Sequence, residues 1–314
     1  IDENLADDEF TESFGNVNIN GNSTVRMMTT TGNSSNTIQG NLTINSTGVV
    51  VATQTNTTNQ TLTINGNLTV SSNSGSFYIE SNSTSSNVTK KILVLGSYIQ
   101  TSGILNIASN TSTLVGPNER ISILEVRGDF TQTGGSITES ATDSDYRCQI
   151  LLSKTSGIQY IESIGNTTGL IEFNVAGSGA QCVVPATKTF VQSGVSPTFV
   201  VANGSQSIDL NILGTFKRTS ANPITTTGTV QCGSGGTYEH AVDGGSVPSM
   251  TWNSTSTFLV SGITSSTAFT SGSIQFYGNV TWNCPSQSSA FSFGGLTTVN
   301  GNLTIQSTGA SPNS

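Results

Sequence analysis

Charge is what this chain has least of. Only 9% of its 314 residues are Asp, Glu, Lys or Arg, against about 25% in an ordinary soluble domain. With 12 acids against 10 bases after residue 12, there is no basic stripe to neutralise phosphates, so nucleic acid is not an expected partner. His240 is the only histidine, which excludes a paired-histidine metal motif. No apolar run approaches the roughly 20 residues that a membrane-spanning helix needs, so membrane insertion is not expected. Phosphate loops, Gly-x-Ser-x-Gly elbows and Gly-Gly-x-Gly-x-Asp calcium repeats are missing too, and no cofactor is implied.

Four cysteines remain, Cys148, Cys182, Cys232 and Cys284, and none forms a Cys-x-x-Cys pair. Zinc is therefore not expected. Three pairings are open if all are bridged. Cys232 with Cys284 and Cys148 with Cys182 are the candidates, although two coils of a 25-residue repeat would set same-phase Cα atoms about 9.6 Å apart, beyond disulfide reach.

What fills the chain is Thr, Ser, Asn and Gly, with 47 Ile and Val against 17 Leu. β-Branched side chains suit a pleated, half-buried surface, so strands are favoured over helices. The motif Gly-Asn-Leu-Thr-Ile recurs. Gly15-Asn16-Val17-Asn18-Ile19, Gly40-Asn41-Leu42-Thr43-Ile44 and Gly66-Asn67-Leu68-Thr69-Val70 follow at steps of 25 and 26 residues. Looser copies start at Gly96 and Gly128, and Gly278 precedes Gly301 by 23. Within each copy apolar residues alternate with Asn or Thr, the period of a strand with one buried face.

A period near 25 is too short for a propeller blade but suits one solenoid coil of two or three short strands. The expected fold is therefore all-β, a parallel β-solenoid with coils of about 25 residues. Its domains would be an acidic segment at 1–14 and a single solenoid over 15–314. About twelve coils would fit. Gly-Asn is read as the corner, glycine accepting positive φ and asparagine the left-handed region. Asn and Thr one coil apart are expected to form ladders. The Asn-x-Ser/Thr triplets at Asn22, Asn41, Asn67, Asn279 and Asn302 leave glycosylation open, since several fall inside expected strands.

From residue 228 to 309 the chain resembles repeat-rich proteins secreted by Bacteroidota, many exported by the type IX secretion system. The resemblance rests on Gly235-Gly236-Thr237-Tyr238-Glu239-His240, Gly244-Gly245-Ser246-Val247-Pro248, Thr251-Trp252-Asn253, Gly278-Asn279-Val280-Thr281-Trp282-Asn283-Cys284 and Val299-Asn300-Gly301-Asn302-Leu303-Thr304. It implies a secreted or cell-surface parallel β-solenoid of unassigned function. The family pattern carries a cysteine soon after the first Trp-Asn, where this chain has Phe258, so no family disulfide is implied.

Candidate chemistry is thin. His240, with Tyr238, Glu239 and Asp243, is where acid-base work could sit, but neighbouring strand residues point to opposite faces, and a packed histidine is the simpler reading. Glu125, Asp129, Asp143, Asp145, Glu162 and Glu172, interspersed with Arg120, Arg127, Arg147 and Lys154, form the one acidic concentration in the body. Paired carboxylates could serve glycosidic chemistry, yet their spacing is loose and reads as exposed charge. Trp252, Trp282 and Tyr277 could stack on sugars or fill core and corner positions. No catalytic, cofactor or metal residue is assigned.

The expectation is thus a non-enzymatic extracellular structural protein, a cell-surface rod or a filament-forming, adhesive subunit. A carbohydrate-active or glycan-binding β-helix is the alternative. The acidic segment, containing Asp2, Glu3, Asp7, Asp8, Glu9 and Glu12, could be a solvated tail, a cap, or a strand exchanged onto a neighbour. Because Gly301 to Gly309 repeats Gly40 to Gly48 except at Gln306, the last coil reads as an interior one. Either the natural chain continues or copies of it stack end to end, the latter favoured.

Overall fold

A computed structural model describes residues 14–22, 24–28, 34–53, 59–71, 75–81, 88–109, 120–141, 146–176, 179–193, 198–292 and 298–309. The acidic segment therefore lies, but for Phe14, outside the described residues. Among those described there is no helix. The strands run parallel, stacked as a β-solenoid of about nine turns with about 26 residues each. That is fewer than the twelve coils expected, and coil length is not uniform, reaching 30 and 32 residues between Leu68, Tyr98 and Phe130.

The chain divides into two compact units, Ile1–Lys154 with Ser163–Asn174, and Thr155–Glu162 with Val175–Ser314. In the first, three ladders wind together. One carries the Gly-Asn repeat through Val17–Gly21, Leu42–Ser46, Leu68–Val70, Tyr98–Gln100 and Phe130–Gln132. The second stacks Val25–Arg26, Val49–Thr53, Ser76–Ser81, Ile104–Ser109, Ser136–Glu139 and Asn166–Thr168. The third stacks Ser34–Ile38, Gln60–Ile64, Thr89–Val94, Arg120–Val126 and Tyr146–Leu152. Alternate residues point inward, so Leu42, Leu68, Tyr98 and Phe130 form one buried column.

In the second unit the main ladder runs Thr189–Gln192, Thr215–Arg218, Thr237–His240, Thr257–Val260, Asn279–Asn283 and Leu303–Ser307. A companion ladder holds Ala180–Val184, Leu210–Ile212, Val230–Cys232 and Thr251–Trp252. The buried column here is aromatic. Phe190 stacks on Phe216 at 5.3 Å, Phe216 on Tyr238 at 6.2 Å and Tyr238 on Phe258 at 6.1 Å between ring centroids. Offset stacking of this kind adds about 0.5–1.5 kcal/mol per pair beyond area burial. Phe258 thus belongs to the stack.

The repeat glycines do a different job from the one expected. Gly40, Gly66, Gly96, Gly128 and Gly301 are not among the positive-φ residues. They are needed because coils touch there. A Cβ on Gly66 would lie 2.3 Å from Asn41 Oδ1 and 2.7 Å from the Gly40 carbonyl. The same Asn41 oxygen accepts the Asn67 N–H at 2.8 Å, as Asn16 accepts that of Asn41 and Asn67 that of Ser97. Glycine clears the space that the asparagine ladder occupies. Gly66→Ala should therefore cost about 1–3 kcal/mol through overpacking. Gly15→Ala, with nothing within 4 Å of the new methyl, should cost nothing or gain up to about 1 kcal/mol. Urea denaturation of the two variants checks the contrast.

No disulfide forms. All four cysteines are buried free thiols, so neither expected bridge exists. The register explains it: Cys148 faces Ser122, Cys182 faces Leu210, and Cys232 lies between Ile212 and Trp252. Cys284 sits beyond Asn279–Asn283 with its thiol on the Val260 carbonyl.

Candidate functional site

The acidic concentration does not converge on one point. Glu125 is enclosed by Lys91, by Arg127 Nε at 3.1 Å and by Ser153 Oγ at 2.8 Å. Burial alone would raise its pKa, but those donors overcome it and hold the carboxyl below its ordinary range. Glu172 accepts from Gln149 at 2.6 Å and Asn174 at 2.9 Å. Lys188 reaches Glu162 at 3.0 Å, and Lys154 lies 3.9 Å from Asp129. Arg147 is exposed on its strand. Asp143, Asp145 and the Arg120 side chain lie outside the described residues. Each carboxylate described has its own donors, an arrangement that suits surface strands better than a shared proton.

Around His240 the strand period holds. Glu239 points outward to Lys217 at 2.9 Å and Ser261 at 2.7 Å. His240 points inward, fully buried, its ring edge-on to Phe258 and Phe269. Nε2 meets the Gly244 carbonyl at 2.6 Å, and since a carbonyl only accepts, Nε2 carries the proton. Nδ1 has no partner among the described residues. Burial, with the nearby Arg218 charge adding to it against the Gly244 hydrogen bond, lowers the pKa to about 4.

Arg218 is His240's register partner and is itself fully buried. Its guanidinium donates to the carbonyls of Ser220 at 2.9 Å, Ala221 at 2.6 Å and Ser246 at 2.5 Å. Asp243 accepts the backbone N–H groups of Thr264, Ser265 and Ser266 within 2.9–3.2 Å. Although burial opposes it, those donors hold its carboxyl well below the usual range. Both residues clamp loops to neighbouring coils, Arg218 in the interior and Asp243 at the surface.

The aromatic candidates are interior. Trp282 is fully buried and donates to Gln287 at 2.9 Å, and Tyr277 is fully buried with its hydroxyl on the Ser273 carbonyl at 2.8 Å. Trp252 is half-buried, donating to Gln275 at 3.0 Å. Despite their matching Thr-Trp-Asn contexts the tryptophans occupy different ladders, Trp252 opposite Cys232 and Trp282 opposite Val260.

A polar column inside the first unit went unnoticed in the sequence. Gln60, Lys90, Ser122 and Cys148 are successive register partners of the third ladder, and all four are buried. Lys90 Nζ donates to Gln60 Oε1 at 2.9 Å, and Ser122 Oγ donates to buried Glu80 Oε2 at 2.7 Å. Burial, reinforced by the Glu139 and Glu80 charges, pushes the Cys148 thiol well up. The available signal was parity. Lys90 shares its strand face with Ile92 and Val94, Gln60 with Leu62 and Ile64, and Ser122 with Leu124 and Val126.

Among the described residues, no group of three or more His, Cys, Asp or Glu side chains is arranged to hold a metal ion. Comparison with protein-family models, with curated proteins and with solved structures gives no match.

Proposed function

We propose that this chain is a non-enzymatic, extracellular structural protein, a surface rod or adhesive filament subunit whose copies associate end to end. The observation that carries the reading is the strand Leu303–Ser307. Among the described residues it pairs with Asn279–Asn283 alone. Leu303 and Ile305 are 54% and 51% exposed, while their register partners Val280 and Trp282 are fully buried. Leu42 and Ile44, in the same Gly-Asn-Leu-Thr-Ile sequence, are buried between strands on both sides.

An edge with interior side chains and open backbone groups is a template for a further strand of the same kind. We place a second copy there. Burying the exposed half of two such side chains would contribute roughly 1 kcal/mol each, with strand hydrogen bonds in addition. The neutral Thr- and Asn-rich faces and the separate partners of the carboxylates among the described residues fit a scaffold better than a glycosidase groove. A glycan-binding β-helix stays second: of the three aromatics offered for sugar stacking, Trp282 and Tyr277 are inside the fold and Trp252 is half-buried.

Sedimentation velocity across a hundredfold concentration range tests this. The native chain should shift to larger species, whereas Leu303→Lys with Ile305→Lys should sediment as a monomer with unchanged circular dichroism. A native chain that stays monomeric throughout the range would overturn the reading.

A further inference from the structure

The buried polar column of the first unit carries chemistry that a scaffold could use. Lys90 and Gln60 face one another on adjacent parallel strands, as partners in register. Both are buried, and the Lys90 amine donates to the Gln60 carboxamide oxygen at 2.9 Å. A C=O bond is about 1.2 Å long, so the carboxamide carbon lies within about 4 Å of Nζ, close to attack distance. Such a contact inside a dry, close-packed stack holds amine and acyl carbon together for the life of the fold, the condition under which slow intramolecular reactions gain most.

A proton carrier is tied to the next rung of the column. Ser122 is the register partner of Lys90 on the next strand, and its hydroxyl donates to the buried Glu80 carboxylate at 2.7 Å. Glu80 comes from the second ladder, where it lies opposite Thr53 and Ala108, and it points into the same interior as the column. Amine and amide thus meet away from water, and the buried carboxylate is held on the hydroxyl of the next residue in the column, Ser122.

We propose that Lys90 and Gln60 join in an intramolecular amide bond, with Glu80 moving the protons. The Lys90 ammonium gives a proton to the Glu80 carboxylate by way of the Ser122 hydroxyl, which passes on its own proton and takes one up, and the Nζ lone pair attacks Gln60 Cδ. The C=O electron pair moves to Oε1. When it returns, the Cδ–Nε2 bond breaks, and Nε2 leaves carrying the proton that Glu80 returns. The second Nζ proton passes through Glu80 to the departing ammonia. Carboxamide and ammonium become a secondary amide and one ammonium ion, so the step needs no oxidant, nucleotide or metal. The bond would tie two successive coils covalently, 30 residues apart in sequence.

Intact mass spectrometry of the purified chain tests this directly. The native protein should be lighter than its sequence mass by one ammonia, about 17 Da, and a protease digest should yield one branched peptide joining residues 60 and 90. Lys90→Arg and Glu80→Gln should each appear at full mass. Cyclisation at an Asn-Gly pair also expels ammonia, so the fragment map decides: loss located anywhere but Gln60 and Lys90, or a folded native chain at full mass, overturns the proposal. Should a variant fail to fold, the native mass and fragment map still give the answer.

Discussion

Replacing Arg218 with methionine should lower the stability of the second unit by about 3–5 kcal/mol, because three carbonyls lose one charged donor together. The guanidinium is fully enclosed and serves three carbonyls at once, on Ser220, Ala221 and Ser246. Methionine fills much of the volume and leaves those acceptors without a donor, each at a cost of about 1–3 kcal/mol. Lysine retains the charge but not the planar fork, so Arg218→Lys should fall between the native chain and the methionine variant. Tryptophan fluorescence in a urea titration reports on this unit specifically, because Trp252 and Trp282, the only tryptophans, both lie in it. An Arg218→Met midpoint equal to that of the native chain would show that the carbonyls find other donors.

Acid should destabilise the same unit before carboxylates are titrated. The His240 pKa is depressed to about 4 in the fold, against about 6.5 in an unfolded chain. Its neutral form is the one the fold accommodates, so the stability tied to it is complete above pH 6.5. It is lost as the pH falls from 6.5 through 4, reaching about 3 kcal/mol at full protonation. The cause is local: a second proton would place an N–H on Nδ1, which has no acceptor among the described residues, beside the Arg218 charge. His240→Phe, in a pocket already lined by Phe258 and Phe269, should flatten that part of the profile. Urea midpoints at pH 7, 5.5 and 4.5 for the native chain and the variant test it. Parallel curves would assign the acid sensitivity to other groups.

Strand content and facing were legible because they depend on nearest neighbours. Alternation in Leu42-Thr43-Ile44 or Phe216-Lys217-Arg218 states which side is buried, and the Gly-Asn step states where the coil turns. The inward place of Arg218 follows from the same parity and could have been read. What local pattern could not supply was the third dimension. Gly66 looks like a turn residue in sequence, and only the coil above it shows that the Asn41 amide needs the space. The two Thr-Trp-Asn triplets look equivalent, yet a change in coil length sends Trp252 and Trp282 to different ladders. For the same reason the cysteines could not be paired from their spacing. Glu125 looks like part of a charged cluster until Lys91, on the neighbouring strand, closes over it.

Coil length itself has a consequence for growth of the molecule. In the first unit successive asparagine-ladder steps take 25, 26 and 30 residues, and the next, on the Ser97 hydroxyl, takes 32. In the second, Tyr238 to Phe258 takes 20 and Asn279 to Asn302 takes 23. Each step nevertheless advances one strand spacing, about 4.8 Å, because the backbone ladder alone sets it. Axial reach is thus counted in rungs and girth in residues, and the two can be adjusted independently. Residues inserted between ladders would widen a coil without moving the rungs above and below it, so this kind of thread can acquire new surface at constant gauge.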